Sequence, residues 1–93
     1  MRIKIQLKGA LAWLAGFREL ELELEEGSDV LRALRALCQH CPRLAGVLFD
    51  ADTGDPRANF LLLLNKRDVD VLEGLSTPLT DGDVLTLIPL VRL

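Results

Sequence analysis

Leu79-Thr80-Asp81-Gly82-Asp83-Val84-Leu85-Thr86-Leu87-Ile88-Pro89-Leu90 sets a tight turn directly against a strand. An Asp-Gly-Asp turn needs a residue that tolerates a positive φ, and Gly82 does so without steric cost. From Val84 to Leu90 apolar residues occur on both alternating faces, so a sheet built on this strand has two sides to account for.

Moving back from that strand, Phe60-Leu61-Leu62-Leu63-Leu64 carries the same two-sided pattern within a strand expected near 58–65. Lys66 to Asp68 reads as a turn, Val69 to Leu72 as a short edge strand, and Ser76 to Pro78 as a loop. Asp50 to Pro56 has the Asp, Gly and Pro density of a turn.

At the front, Ile3, Ile5 and Leu7 alternate with Arg2, Lys4, Gln6 and Lys8, the period of a strand with one buried face. The period returns from Arg18 to Glu25, with Leu20, Leu22 and Leu24 inward and Glu19, Glu21, Glu23 and Glu25 outward. Paired, the two runs set a basic row against an acidic one, a mildly stabilising cross-strand arrangement. These rows read as a solvated structural face.

Ser28 offers an N-cap hydroxyl and Asp29 a favourable charge to the start of a helix. Val30, Leu31, Leu34, Leu37, Cys38 and Cys41 form its apolar stripe, opposite Arg32, Arg35 and Gln39. Pro42 ends it, because the residue before a proline is pushed out of helical geometry. The order is therefore strand, strand, helix, strand, short strand, strand: an α+β sheet with one main helix packed on one face.

The 93 residues, 49% hydrophobic and 27% charged, fit a single domain spanning 1–93. A chain of this size buries only roughly 60 to 65% of its unfolded surface, which leaves little room for a deep catalytic cleft. A carrier or binding module is favoured over an enzyme. A net charge of −3 and a pI near 5.0 give no electrostatic reason to expect nucleic acid or an anionic membrane as partner. Neither a signal peptide nor an apolar run of membrane-spanning length is visible, so a cytoplasmic location is expected.

The motifs narrow the fold. Leu14-Ala15-Gly16 before the second strand, the turn at Asn65 to Asp68, and above all Leu79-Thr80-Asp81-Gly82-Asp83 leading into a strand that ends at Pro89 resemble the MoaD and ThiS family of ubiquitin-like sulfur carriers over nearly the whole chain. The long first strand pair and the helix ending at Cys41-Pro42 are more similar to MoaD than to ThiS. Lys66 departs from the glycine common after that asparagine.

The resemblance implies a ubiquitin-like β-grasp with no cofactor of its own. In the family the chemistry resides in a tail ending in Gly-Gly. Its carboxylate is adenylated by an activating enzyme and converted to a thiocarboxylate, which MoaD delivers to the large subunit of molybdopterin synthase (MoaE-like) in molybdenum cofactor biosynthesis. Here, aligned on Pro89, Leu93 falls where the first glycine would be, and no Gly-Gly pair occurs among the 93 residues. The expectation is that Arg92 and Leu93, the equivalents of the carrier tail, make the chain as written a poor substrate for activation. A gain of one sulfur for one oxygen, seen by mass spectrometry after incubation with activating enzyme, ATP and a sulfur donor, would overturn it.

Attention then passes to the sheet face that one helix cannot cover. If Phe60, Leu62, Leu64, Leu85 and Leu87 face the helix, Leu61, Leu63, Val84 and Ile88 fall on the open side. With Pro89, Leu90 and Val91 they form a candidate partner-binding surface, since contiguous exposed apolar patches mark interfaces. The first expectation is a MoaD-like protein that acts by protein binding. A sulfur carrier with an unusual tail and a self-associating homodimer are the alternatives.

Cys38 and Cys41, with His40, are too few for a structural zinc site, and no metal site is expected. Both cysteines sit on the apolar stripe as core residues, at the closing end of a helix where the dipole does not activate a thiol. His40 reads as a helix-end surface residue. Trp13, in Ala10-Leu11-Ala12-Trp13-Leu14, is expected to plug the end of the core, with a partner anchor as its other role.

Overall fold

A computed structural model describes residues 1–49 and 54–90. The alternating run at the front forms β1, Arg2–Leu7, and its acidic counterpart forms β2, Glu19–Glu23. They pair antiparallel with Arg2 opposite Glu23, Lys4 opposite Glu21 and Gln6 opposite Glu19. The charge rows meet as expected: Arg2 Nε lies 3.0 Å from Glu23 and 3.7 Å from Glu21, and Lys4 Nζ lies 3.9 Å from Glu19. All are exposed and stabilise the pair only weakly.

Between the two strands the chain makes a helix, α1, Ala10–Ala15, where only an apolar segment was expected. Ala and Leu are strong helix formers, and two glycines bound the turn: Gly9 at φ 54° and Gly16 at φ 85°, whose N–H donates to the Ala12 carbonyl. Gly16 thus supplies the left-handed C-terminal stop that other residues adopt at a cost.

The main helix, α2, is Val30–His40. Its N-cap is Asp29, not Ser28. The Asp29 carboxylate accepts from the Arg32 N–H at 2.9 Å, whereas the buried Ser28 hydroxyl donates to the Glu25 carbonyl at 2.7 Å. Asp29 has extended backbone and bridges to Pro78, so the chain enters the helix one residue later than the capping pattern suggests. Val30, Ala33, Leu34, Leu37 and Cys41 are buried; Leu31 and Cys38 are only half-buried. The chain leaves α2 at Cys41 with φ −131° and ψ 86°, the extended geometry that precedes a proline. It continues through a 3-10 turn, Pro42–Leu44, into a short α3, Ala45–Leu48, which drives Leu44 and Leu48 fully into the core.

The remaining strands are β3, Phe60–Leu64, β4, Arg67–Asp68, and β5, Val84–Pro89. The edge strand expected at 69–72 is instead a 3-10 turn, Val69–Val71. The hairpin closes earlier, at Asn65 and Lys66 with φ 50° and 72°, so β4 follows directly and pairs Leu63 with Asp68 and Leu64 with Arg67. Consecutive positive φ values match the twist of a two-residue hairpin. Most of the expected turn at Asp50 to Pro56 lies outside the described residues.

The sheet order is β2-β1-β5-β3-β4, with β5 parallel to β1 and antiparallel to β3. The strand read first from the sequence is therefore the central one, and the mixed sheet with one main helix is the expected β-grasp. The buried apolar residues form one cluster: Ile3, Ile5 and Leu7 of β1, Val30, Leu34 and Leu37 of α2, Phe60, Leu62 and Leu64 of β3, and Leu85 and Leu87 of β5.

The turn before β5 locks these strands together. Asp83 is buried and its carboxylate accepts from the Thr80 N–H at 2.8 Å, the Thr80 hydroxyl at 3.0 Å and Asn65 Nδ2 at 2.8 Å. Gly82, at φ 87°, donates its N–H to the Arg2 carbonyl at 2.9 Å, and Asp81 accepts from the Arg2 N–H at 2.7 Å. The turn thus ties the start of β5 to the start of β1 and the end of β3.

Candidate functional site

The alternation along β3 and β5 separates two sets of side chains. Phe60, Leu62, Leu64, Leu85 and Leu87 are buried; Leu61, Leu63, Val84 and Ile88 are half-buried, on the opposite side of the sheet from the core. Leu61 stands directly opposite Ile88, and Leu63 opposite Thr86. Leu61, Leu63 and Ile88 therefore form a contiguous apolar group, with Val84 four residues before Ile88 at the start of β5.

Thr86, which the sequence reading left out, sits in the middle of this face. Its hydroxyl donates to Gln6 Oε1 at 3.3 Å. Beyond it lie Gln6 and Lys4 of β1 and then Glu19 and Glu21 of β2, so the open face grades from apolar at β3 through a polar seam to acidic at the β2 edge.

Pro89 and Leu90 belong to a different surface. Pro89 pairs with Phe60, a core-side position, and Leu90 donates its N–H to the Asn59 carbonyl at 2.9 Å. Around this root of the tail is an open groove of about 350 Å³ lined by Leu11, Leu14, Val47, Phe60, Pro89 and Leu90, among others. Val47 and Leu90 are both exposed. The candidate residues thus divide between the open sheet face and the groove at the exit of β5, while Val91, Arg92 and Leu93 lie outside the described residues.

Trp13 does not plug the core: it is 86% exposed. Leu11 takes the inward position on α1 and is buried, so the tryptophan, two positions along a helix, is turned to solvent. Trp13 sits off the inward direction set by Leu11 and Leu14, a separation that shows only once Ala10–Ala15 is known to be helical.

Cys41 is buried and Cys38 half-buried. Burial, with Cys41 as a lesser cause, pushes the Cys38 thiol up, which disfavours the nucleophilic thiolate. His40 is exposed at the end of α2. Among the described residues no group of three or more His, Cys, Asp or Glu is placed to hold a metal ion, and no helix is long and apolar enough to cross a membrane.

The ThiS family model matches residues 5–92. Among solved structures, small archaeal modifier protein 1 from Haloferax volcanii is 27% identical with a TM-score of 0.88, over 98% of this chain and 97% of that one. Its counterpart from Methanosarcina acetivorans is 30% identical with a TM-score of 0.80, over 95% and 91%. The complex of subunits 1 and 2 of the molybdopterin-converting factor from Helicobacter pylori matches at 25% identity and a TM-score of 0.64, over 99% and 97%. No curated protein matches this chain in sequence.

Proposed function

This chain belongs to the ThiS family, and on that premise we propose that it acts by binding a protein partner, without catalysis of its own. The open sheet face is the docking surface. The observation that carries this is the register of β3 and β5, which gathers Leu61, Leu63 and Ile88 on the side of the sheet away from the core. Apolar surface in that position is withdrawn from water only when something covers it. The groove at Pro89 and Leu90 lets a partner reach the end of β5 at the same time.

Support for a heterologous partner comes from the Helicobacter pylori structure, in which subunits 1 and 2 of a molybdopterin-converting factor form a complex. Subunit 2 of such a factor from the same organism as this chain is the partner to test, followed by an activating enzyme.

Titration calorimetry with that subunit is expected to show binding that Leu61→Glu together with Ile88→Glu weakens by roughly a hundredfold, the effect of placing unpaired charge in an interface core. Equal affinity for wild type and variant would remove the open face from the interface. Light scattering provides the other arm. A dimer mass in the isolated protein that Leu61→Glu abolishes would replace the heterologous partner by a second copy.

A further inference from the structure

Trp13, the only tryptophan of the chain, stands in water on α1. It overlooks an open groove of about 670 Å³ whose lining includes Lys8, Gly9, Phe17, Arg18 and Glu19. The basic side chains here differ from those on the outer face of β1. There, Arg2 and Lys4 are engaged with Glu19, Glu21 and Glu23, whereas Lys8 and Arg18 are exposed and form no ion pair among the described residues. Glu19, the one carboxylate in the lining, is already held by Lys4 and accepts from Gln6 Nε2 at 3.2 Å.

The groove therefore presents uncompensated positive charge around a large apolar side chain, on a protein whose net charge is −3. It is also continuous with the root of the tail. The Lys8 N–H donates to the Leu87 carbonyl at 3.0 Å, and a Cβ built on Gly9 would lie 3.6 Å from the Pro89 ring. A partner that grips the end of β5 reaches α1 without crossing any other element.

We infer that α1 and its groove dock an acidic segment of a protein partner, with carboxylates pairing to Lys8 and Arg18 and an apolar side chain packing on Trp13. Tryptophan is among the residues that dominate interface energetics, and paired charges at its rim would set the orientation and speed of encounter. A polyanionic nucleic acid fits less well, because its charge would continue beyond the groove over the acidic row of Glu19, Glu21 and Glu23 on β2, whereas a short acidic segment ends at Lys8 and Arg18. A symmetric second copy would bring Lys8 and Arg18 toward their own equivalents, a repulsive juxtaposition. The class of partner, a protein, rests on the function proposed for the family fold, but none of Leu61, Leu63, Val84 and Ile88 lines this groove.

Because Trp13 is the sole tryptophan, its emission reports on this site directly. The full chain is titrated with a synthetic peptide alternating Leu with Asp and Glu, and with the same peptide carrying Lys in place of each acid. The acidic peptide is expected to shift Trp13 emission to the blue and to bind less tightly as salt is raised. Lys8→Glu with Arg18→Glu is expected to weaken it by roughly tenfold or more, with an unchanged thermal transition confirming that the variant is folded. Leu61→Glu is expected to leave this titration unchanged, so that loss of the open-face interface and loss of the α1 site register separately. No shift with the acidic peptide at millimolar concentration, an equal shift with the basic peptide or with a single-stranded oligonucleotide, or a shift on raising protein concentration alone would each overturn the proposal.

Discussion

Lys66 occupies a conformation that suits glycine. With φ 72° it sits in the left-handed region, which costs a residue bearing a Cβ about 1 kcal/mol. Lys66→Gly is expected to recover most of that, offset in part by the greater freedom of the unfolded chain, and thermal unfolding should show a small rise in Tm. Asp83 works in the opposite sense. Its buried carboxylate holds the Thr80 N–H, the Thr80 hydroxyl and Asn65, so Asp83→Ala leaves three donors without their acceptor and is expected to cost about 3 kcal/mol in chemical denaturation. Cys38 gives a test in pH. Burial raises its thiol, so the folded state disfavours the thiolate. Native alkylation should lag behind that of the unfolded chain through the alkaline range, and stability should decline as pH rises past the ordinary thiol value. Equal alkylation rates with and without urea would contradict the burial.

At the level of elements, α1 gives opposite roles to two side chains only two residues apart. Leu11 is buried and Trp13 exposed, so Leu11→Ala is expected to cost about 3 kcal/mol, whereas Trp13→Ala should stay within about 0.5 kcal/mol of wild type; denaturation midpoints of the two variants check this. The strands were legible because alternation is a local signal: each run from Arg2 to Leu7 or from Phe60 to Leu64 carries its own record of which side is buried. What was illegible depends on distant contacts. Asp29 replaces Ser28 as the cap because Pro78 holds its backbone extended. The edge strand moved from 69–72 to Arg67–Asp68 because the hairpin accepted Lys66 in a strained turn. Trp13 was misplaced because a six-residue helix between two strands has too little length to impress a period on the sequence. The open-face set at Leu61, Leu63, Val84 and Ile88 followed from alternation alone; Thr86 shares that face by the same period but was passed over as polar, and only the register of β3 against β5 sets it opposite Leu63.

Across the whole molecule, the segments flanking β3 and β4 are joined through Arg57. Arg57 lies 2.6 Å from Asp55 and 3.0 Å from Asp70, joining the 3-10 turn before β3 to the one after β4. The hydrogen bond from Arg57 holds the Asp55 carboxyl below the usual carboxylate range, against an opposing effect of burial. A lowered folded-state value means that the contribution is present above the ordinary carboxylate range and is lost as pH falls through the depressed one. Comparison of Tm for wild type and Asp55→Asn should therefore show a gap at neutral pH that closes under acid; a gap independent of pH would mean that the contact acts through packing alone.

The parallel pairing of β1 with the central β5 also has a mechanical consequence. Met1 lies at the start of β1 and Leu90 just beyond the end of β5, so their ends point to opposite poles of the sheet. Tension applied between them loads the hydrogen bonds of that pair together, in shear, and does not peel them one at a time. A pull on the far end of β5 against the start of β1 thus has to shear the whole pair at once.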